Sequence, residues 1–519
     1  MATMPPEHHH VARPRIAILP VALATWCAVS TLNFAVAAPP LPQIPSAPPQ
    51  VEPQADQDGI TAATQAQARA WRIEPGVELT GTATSNSGYA SNQKGPADEI
   101  FVISPSLSIA GNGPNMRVNG KFQFDAIKYA RGTQPDRILP QGTLDAEFNL
   151  IERLMGLDMG LTTLQTSADP FSAQSDGGPS TVGRYTTTQA RISPYLERSL
   201  TPELLLKARA EATHTNFATA GSGLLDRPDA HTQHHTLSLD RKPTRIGAAI
   251  ELDYQKSGYD QQPTSELTQQ SGRGLLSYAV TDQFTFSGIA GRESNQTVIS
   301  SRSDSLYGGR IDWNPNERTH LLTTLEHHFF GPAWDVSLSH NAPTYASRIT
   351  LNKTLTTSAN ALSSLTTPLI PGTPAPQTAP TLDSFTLSAQ LRQSVSARFA
   401  IMGRRDTVSV VIDVLKTTPR QLIAEPLTEA PNLQRAIEFQ YDHRMTRQTT
   451  LEAAVRWSRT STPGTSLEST ENSIRAGVNT RLSPQTTATI GVRQLRLNSN
   501  VLSTNPRELA LFAGLGHRF

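Results

Sequence analysis

From Trp71 onward, apolar and polar residues alternate one for one in long segments. Met116, Val118, Phe122 and Phe124 interleave with Arg117, Asn119, Lys121, Gln123 and Asp125, and Leu204, Leu206, Ala208 and Ala210 with Lys207, Arg209 and Glu211. Ile246, Ala248, Ile250, Leu252 and Tyr254 do the same with Glu251, Asp253 and Gln255, and Phe385, Leu387, Ala389 and Leu391 with Thr386, Ser388, Gln390 and Arg392. The pattern returns as Ile437, Phe439 and Tyr441 against Glu438, Gln440 and Asp442, then as Leu451, Ala453, Val455 and Trp457 against Glu452, Ala454 and Arg456. Successive side chains of a strand point to opposite faces, so each segment predicts a strand with one greasy face and one that carries full charges. Soluble sandwiches alternate too, but their strands average about five or six residues, and these run for roughly ten to fifteen. The pattern therefore predicts an all-β transmembrane antiparallel barrel, apolar outside and wet within.

The last stretch, Arg507 to Phe519, carries Leu509, Leu511, Ala513, Leu515, His517 and Phe519 on one parity, and Glu508, Ala510, Phe512, Gly514, Gly516 and Arg518 on the other. Apolar residues at every second position before a final aromatic resemble the carboxy-terminal signal of bacterial outer-membrane barrels. Leu511, Leu515 and Phe519 would be the residues that the barrel-assembly machinery reads.

The connections are asymmetric. Short polar turns recur at Gly111–Asn115, Thr201–Glu203, Asp240–Thr244, Thr281–Gln283, Asn314–Arg318, Gly403–Thr407, Thr446–Thr449 and Ser483–Thr486. Between them fall mostly longer stretches rich in Gly, Ser, Thr and Pro, such as Ala168–Thr181, Asn216–Asp229, Leu355–Leu382 and Lys416–Asn432. Short periplasmic turns and long outer loops are the habit of outer-membrane barrels, and counting pairs from Trp71 gives about 22 strands, within a range of about 18 to 24. An even number returns both ends to the periplasmic side. Trp71, Trp313, Trp334, Tyr441 and Trp457 fall at strand ends, where aromatic girdles sit.

The amino-terminus changes the picture from a barrel to an exported one. Arg13 and Arg15 precede the apolar run Ile16–Leu32, and Ala35-Val36-Ala37 offers a small-residue cleavage site before Ala38. Residues 1–37 thus read as a cleaved signal peptide, 38–70 as a Pro-rich periplasmic linker, and 71–519 as the barrel. Within the linker, Ile60 to Trp71 would tolerate a short helix. No other apolar run approaches the roughly 18 residues of a membrane helix. The single cysteine, Cys27, lies in the signal, which leaves the mature chain without a thiol and suits an oxidising compartment.

Charge excludes little but is informative in its balance: 45 Lys+Arg against 44 Asp+Glu gives a net of +1, which implies no nucleic-acid partner. The common local signatures of hydrolase, nucleotide and zinc chemistry are absent, so no catalytic, cofactor or metal residue is assigned and no enzyme is expected. His231, Gln233 and His235 share a strand face, yet no nearby carboxylate or cysteine completes a ligand set, and His327-His328 reads the same way. The candidate lumen-facing residues are Lys121, Asp125, Lys207, Arg209, Glu211, Glu251, Asp253, Arg392, Glu438, Asp442, Glu452 and Arg456. Their mixed signs favour neutral polar solutes over one ion type, and the charges have the further option of pairing across the wall. Leu355–Leu382 contains no Asp, Glu, Lys or Arg, so it could narrow a lumen without stranding charge.

Four stretches, W-R-I-E-P-G-V-E-L-T from Trp71, F-V-I-S-P-S-L-S-I-A-G-N-G from Phe101, G-P-A-W-D-V-S-L-S-H from Gly331 and F-A-I-M-G-R-R-D-T-V-S-V from Phe399, resemble the outer-membrane barrels associated with the PEP-CTERM/exosortase system. The resemblance covers the chain after the linker and rests on strand-and-turn text. It implies a pore or export channel linked to exopolysaccharide or to surface export of sorted proteins, with outer-membrane lipid, the assembly machinery and exopolysaccharide components as partners. The alternative is a non-conducting structural or assembly barrel of the envelope. The family brings no established catalytic residues.

Overall fold

The computed structural model describes residues 71–87, 95–167, 170–172, 184–219, 227–241, 245–260, 262–297, 301–357, 389–419, 431–501 and 505–519. The expected signal peptide and linker lie outside these residues. The chain forms β1 (Trp71–Thr84), β2 (Asp98–Asn112), β3 (Met116–Tyr129), β4 (Arg137–Ile151), β5 (Met155–Ser167), β6 (Arg184–Ser199), β7 (Leu204–Thr219) and β8 (Ala230–Arg241). It continues through β9 (Ile246–Tyr259), β10 (Gln262–Thr281), β11 (Phe284–Thr297), β12 (Ser301–Asn316), β13 (Thr319–His328), β14 (Gly331–Asn341) and β15 (Tyr345–Thr356). The last strands are β16 (Gln390–Met402), β17 (Asp406–Pro419), β18 (Asn432–Arg444), β19 (Thr449–Ser461), β20 (Glu468–Arg481), β21 (Thr486–Ser499) and β22 (Arg507–Arg518). Each strand pairs antiparallel with the next, and β22 pairs with β1, so the 22-stranded sheet is a closed barrel.

Strand number and antiparallel order match the sequence reading, and the turns on the Trp71 side are all two to four residues long. Two of them, 152–154 and 342–344, are additional to the turns expected from the sequence, although Pro343 marks the second. On the opposite side, only two residues separate β9 from β10, three separate β11 from β12 and two separate β13 from β14, where Gly331 at φ 99° opens β14. Of the alternation that starts at Phe385, Gln390, Leu391 and Arg392 open β16, and 383–388 lie outside the described residues.

One parity of each strand is apolar and exposed. Leu79, Phe101, Ile250, Leu276, Leu325, Ile401, Ile490 and Leu511, from eight strands around the wall, are 47 to 65 % exposed. An apolar girdle of that extent is untenable in water and belongs in hydrocarbon, where a closed barrel satisfies every backbone group. No helix among the described residues is long and apolar enough to cross a membrane, so the crossing is made by strands. A tilted crossing needs about 9 to 11 residues. Most of these strands are longer, 12 to 16 residues, and their ends project beyond the bilayer. Inward residues at the end of the long connections are packed, among them Thr84, Ile100, Tyr129, Thr166, Thr215, Ser257 and Thr460. At the end of the short turns, Arg72 and Lys121 remain accessible.

The seam between the first and last strands is fastened along its length. Glu508 on β22, buried, accepts from Arg493 on β21 at 3.1 and 2.7 Å and from the Thr84 hydroxyl on β1 at 2.8 Å. Backbone bonds hold both ends, from the Phe519 N–H to the Pro75 carbonyl and from the Ser85 N–H to the Leu509 carbonyl, each at 2.9 Å. Phe512 lies flat over Gly491, its register partner, where any Cβ would fall 2.4 Å from the ring.

The apolar side of β22 generates the first prediction. Leu511 and Leu515 are 63 and 46 % exposed on the outward face. A charge on a lipid face near mid-bilayer costs up to about 2 to 4 kcal/mol, less for Asp. Leu511→Asp with Leu515→Asp, or removal of Phe519, is expected to abolish insertion, read by membrane fractionation and by loss of heat-modifiable migration. Normal membrane levels of the double variant would refute the face assigned to this strand.

Candidate lumenal site

The densest chemistry is on the inward face of β9 to β13. Arg273 on β10, 4 % exposed at its side chain, donates to Glu251 on β9 at 2.6 Å and to Glu326 on β13 at 2.7 Å. Arg310 on β12 approaches Glu251 at 3.6 Å. His328 on β13 bonds Glu293 on β11 at 2.8 Å and lies 3.4 Å from Glu326. An arginine and a glutamate three strands apart can meet only if nothing stands between them. Gly291 and Gly308 supply that space: an added Cβ would come 2.3 Å from the Gly272 carbonyl oxygen and 2.0 Å from that of Leu325. Beside the ions, Leu275, Ile289 and Leu306 form a buried apolar cluster with Ala249 packed against it, so the network is shielded from water on that flank.

Further along the wall the inward groups form separate small sets. Arg209 donates to Asp158 at 2.7 Å and to Ser193 at 2.9 Å, with its guanidinium 4.9 Å from the Tyr195 ring centroid. Lys207 lies 3.6 Å from Asp240, Glu211 lies 3.6 Å from Arg191, and Asp253 is 2.7 Å from His234. Asp125 accepts from Ser104, Gln123 and Gln141 at 2.6, 2.7 and 2.6 Å. Glu438 faces Arg456 in the register, and Arg456 also reaches Glu471 at 3.6 Å; Asp442 faces Glu452. Arg392 is flanked by Thr354 and Thr417. Lys121 stands in a cleft of about 210 Å³ with Arg72, Ser108, Asn119 and Thr143. No single constellation gathers these residues; they are spread around the wall, mostly beside groups of opposite charge.

The histidines do not converge either. His231 is 3.1 Å from Asp260, His234 points with Asp253 to the other face, and His235 lies tilted against Tyr254 with ring centroids 5.6 Å apart. Among the described residues no group of His, Cys, Asp and Glu is arranged to hold a metal ion. Sequence reasoning missed Arg273, Glu293 and Glu326, and weighed His328 only as a metal ligand. Their only local signal was the glycine on either side of Arg273 in an otherwise ordinary strand.

Leu355–Leu382 falls mostly outside the described residues, but its first residues are described. Thr357 is fully buried, and its hydroxyl donates at 3.3 Å to Ser257 on β9, six strands around the wall from β15. On the other flank Gln390 is fully buried, and Leu267, Leu355 and Ala389 form one apolar cluster with Phe329 and Phe330 against it.

No protein-family model matches the chain, and no curated protein matches it. Among solved structures it is similar to the FrpB iron transporter from Neisseria meningitidis (F5-1 variant), with a TM-score of 0.47 at 10% identity, over 86% of this chain and 82% of that one. It is similar to the siderophore receptor PirA from Acinetobacter baumannii, with a TM-score of 0.45 at 9% identity, over 86% and 80%. OpdK from Pseudomonas aeruginosa, solved with vanillate, gives a TM-score of 0.36 at 10% identity, over 86% and 99%. These likenesses say nothing of cargo.

Removing one partner of a buried ion pair costs about 3 to 5 kcal/mol, because the other charge is left without compensation. Arg273→Met is therefore expected to lower the unfolding free energy of the barrel in lipid vesicles by an amount of that order, seen as a lower denaturation midpoint, and Glu326→Gln added to it should recover part of the loss. An unchanged midpoint for the single variant would mean that Glu251 and Glu326 are hydrated.

Proposed function

We propose that this chain is an outer-membrane pore or export channel for neutral or weakly charged polar cargo, linked to exopolysaccharide or to surface export of sorted proteins. The observation that carries the reading is the inward face. Its charges are largely spent on one another, as at Arg273, Glu251 and Glu326 or Arg209 and Asp158, while hydroxyls and amides such as Asn119, Thr143, Thr162 and Gln189 are accessible on the same face. A wall of donors and acceptors without a dominant sign suits a hydroxylated polymer better than an ion. The tie to polysaccharide comes from the resemblance of the Trp71, Phe101, Gly331 and Phe399 stretches to the PEP-CTERM-associated barrels. The periplasmic linker, the cleaved signal and recognition of Phe519 by the assembly machinery belong to the same reading.

The packing of inward residues at the long-connection end favours a second reading, a barrel that organises envelope components and conducts nothing. Conductance separates the two. Purified protein in planar bilayers is expected to show small channels with weak ion selectivity. Because Thr357 starts the β15–β16 connection inside the mouth, excising 358–388 should raise single-channel conductance and admit larger neutral oligosaccharides in liposome swelling. A properly inserted barrel that stays silent both before and after the excision would overturn the channel reading in favour of the structural one.

A further inference from the structure

The outward face of β18 to β22 carries a cluster of cations just past the apolar girdle, at the end of the long connections. Arg435 on β18 lies directly opposite Arg459 on β19, and Arg496 on β21 directly opposite Arg507 on β22. All four are exposed. Each sits one outward step or two beyond an apolar residue of its own strand: Arg435 above Ile437, Arg459 above Trp457, Arg496 above Val492 and Arg507 above Leu509. Like charges placed directly across a strand pair repel, so two such pairs, with only β20 between them, are a standing cost in the isolated protein. Among the described residues only Glu468, which pairs with Arg459, offsets them. Arg435 and Arg507 form no ion pair among the described residues. Elsewhere on the rim the balance differs: Lys128 has Asp136 at 3.3 Å, Lys256 has Glu266 at 3.0 Å, and Arg131 has Glu99.

We infer that this face, Arg435, Arg459, Arg496 and Arg507 over Ile437, Val455, Ile474, Val492 and Leu509, is a binding site for a phosphorylated lipid of the outer leaflet. The inference rests on the outer-membrane reading above. An amphiphile with anionic phosphates at its head and acyl chains below matches the site in both chemistry and order, because the guanidinium fork takes phosphate oxygens in pairs and the girdle beneath takes the chains. A soluble anion would match only the upper half. The site adjoins the β22–β1 seam, so a bound lipid would brace the last strand from outside, where Glu508 braces it from within.

The test uses the full chain in detergent, titrated with bisphosphorylated lipid A and, separately, with the same lipid stripped of its phosphates. Wild type is expected to bind the phosphorylated form at least tenfold more tightly, with affinity falling as salt rises. The variant Arg435→Gln/Arg459→Gln/Arg496→Gln/Arg507→Gln should lose that preference, while Arg404→Gln/Arg447→Gln, in the short turns of the opposite end, should keep it. Heat-modifiable migration of each protein reports that the barrel is folded. Folded wild type that binds both lipids alike, or a folded fourfold variant that keeps the preference, would overturn the inference alone. Wild type absent from the outer membrane in cell fractionation would overturn the outer-membrane reading and the inference with it.

Discussion

Everything in this structure depends on one pairing, β22 with β1. Inside hydrocarbon an unpaired N–H or carbonyl costs several kcal/mol, and an open sheet of this length would leave two rows of them. The register from Gly76 with Arg518 to Thr84 with Ala510 removes both rows at once. Side chains reinforce it at the end of the long connections, through Thr84, Glu508 and Arg493. The alternation of faces, the direction of the termini and the existence of an interior all follow from that closure.

Closure also decides what the interior can be. Once one parity of every strand is committed to lipid, the other must face inward, charged or not. The chain solves this with two devices: local ion pairs between adjacent or near strands, and glycines where a pair has to reach further. Gly291 and Gly308 let Arg273 serve carboxylates on both of its flanks. Such a buried network adds little net stability when intact and is expensive when broken, so it fixes the shape of this wall more than it strengthens it.

Much of the fold was legible because its information is local. Period-two alternation names a strand without reference to any other strand, and eight of the ten short turns coincide with the polar, Gly-, Pro- or Asn-bearing text that predicts them. The two that were missed show the limit. In 152–154 the turn is made by Arg153 at φ 57°, a left-handed conformation with no glycine or asparagine to announce it. The tight connections between β9 and β14 were hidden for another reason: polar strand ends such as Gln262–Glu266 and Ser301–Asp304 read like loop text. At the candidate site, parity could be read from the sequence, but partners could not. Nothing in the residues around Arg273 says that Glu326 is three strands away, since that distance depends on where the three intervening turns fall.

The Thr84–Glu508 contact joins residues 424 positions apart. In a flexible chain, bringing such ends together costs roughly 5 kcal/mol in loop entropy, and no adjacent contact can be made in instalments to reduce it unless the intervening hairpins have already formed. Ring closure is thus the final act of folding, attempted when twenty other strands are in place and both remaining edges are still sticky. A chain built this way is an aggregation hazard until its last strand docks. The brace at Glu508 is best understood as a latch: it contributes nothing during the search and makes reopening slow once the search is over.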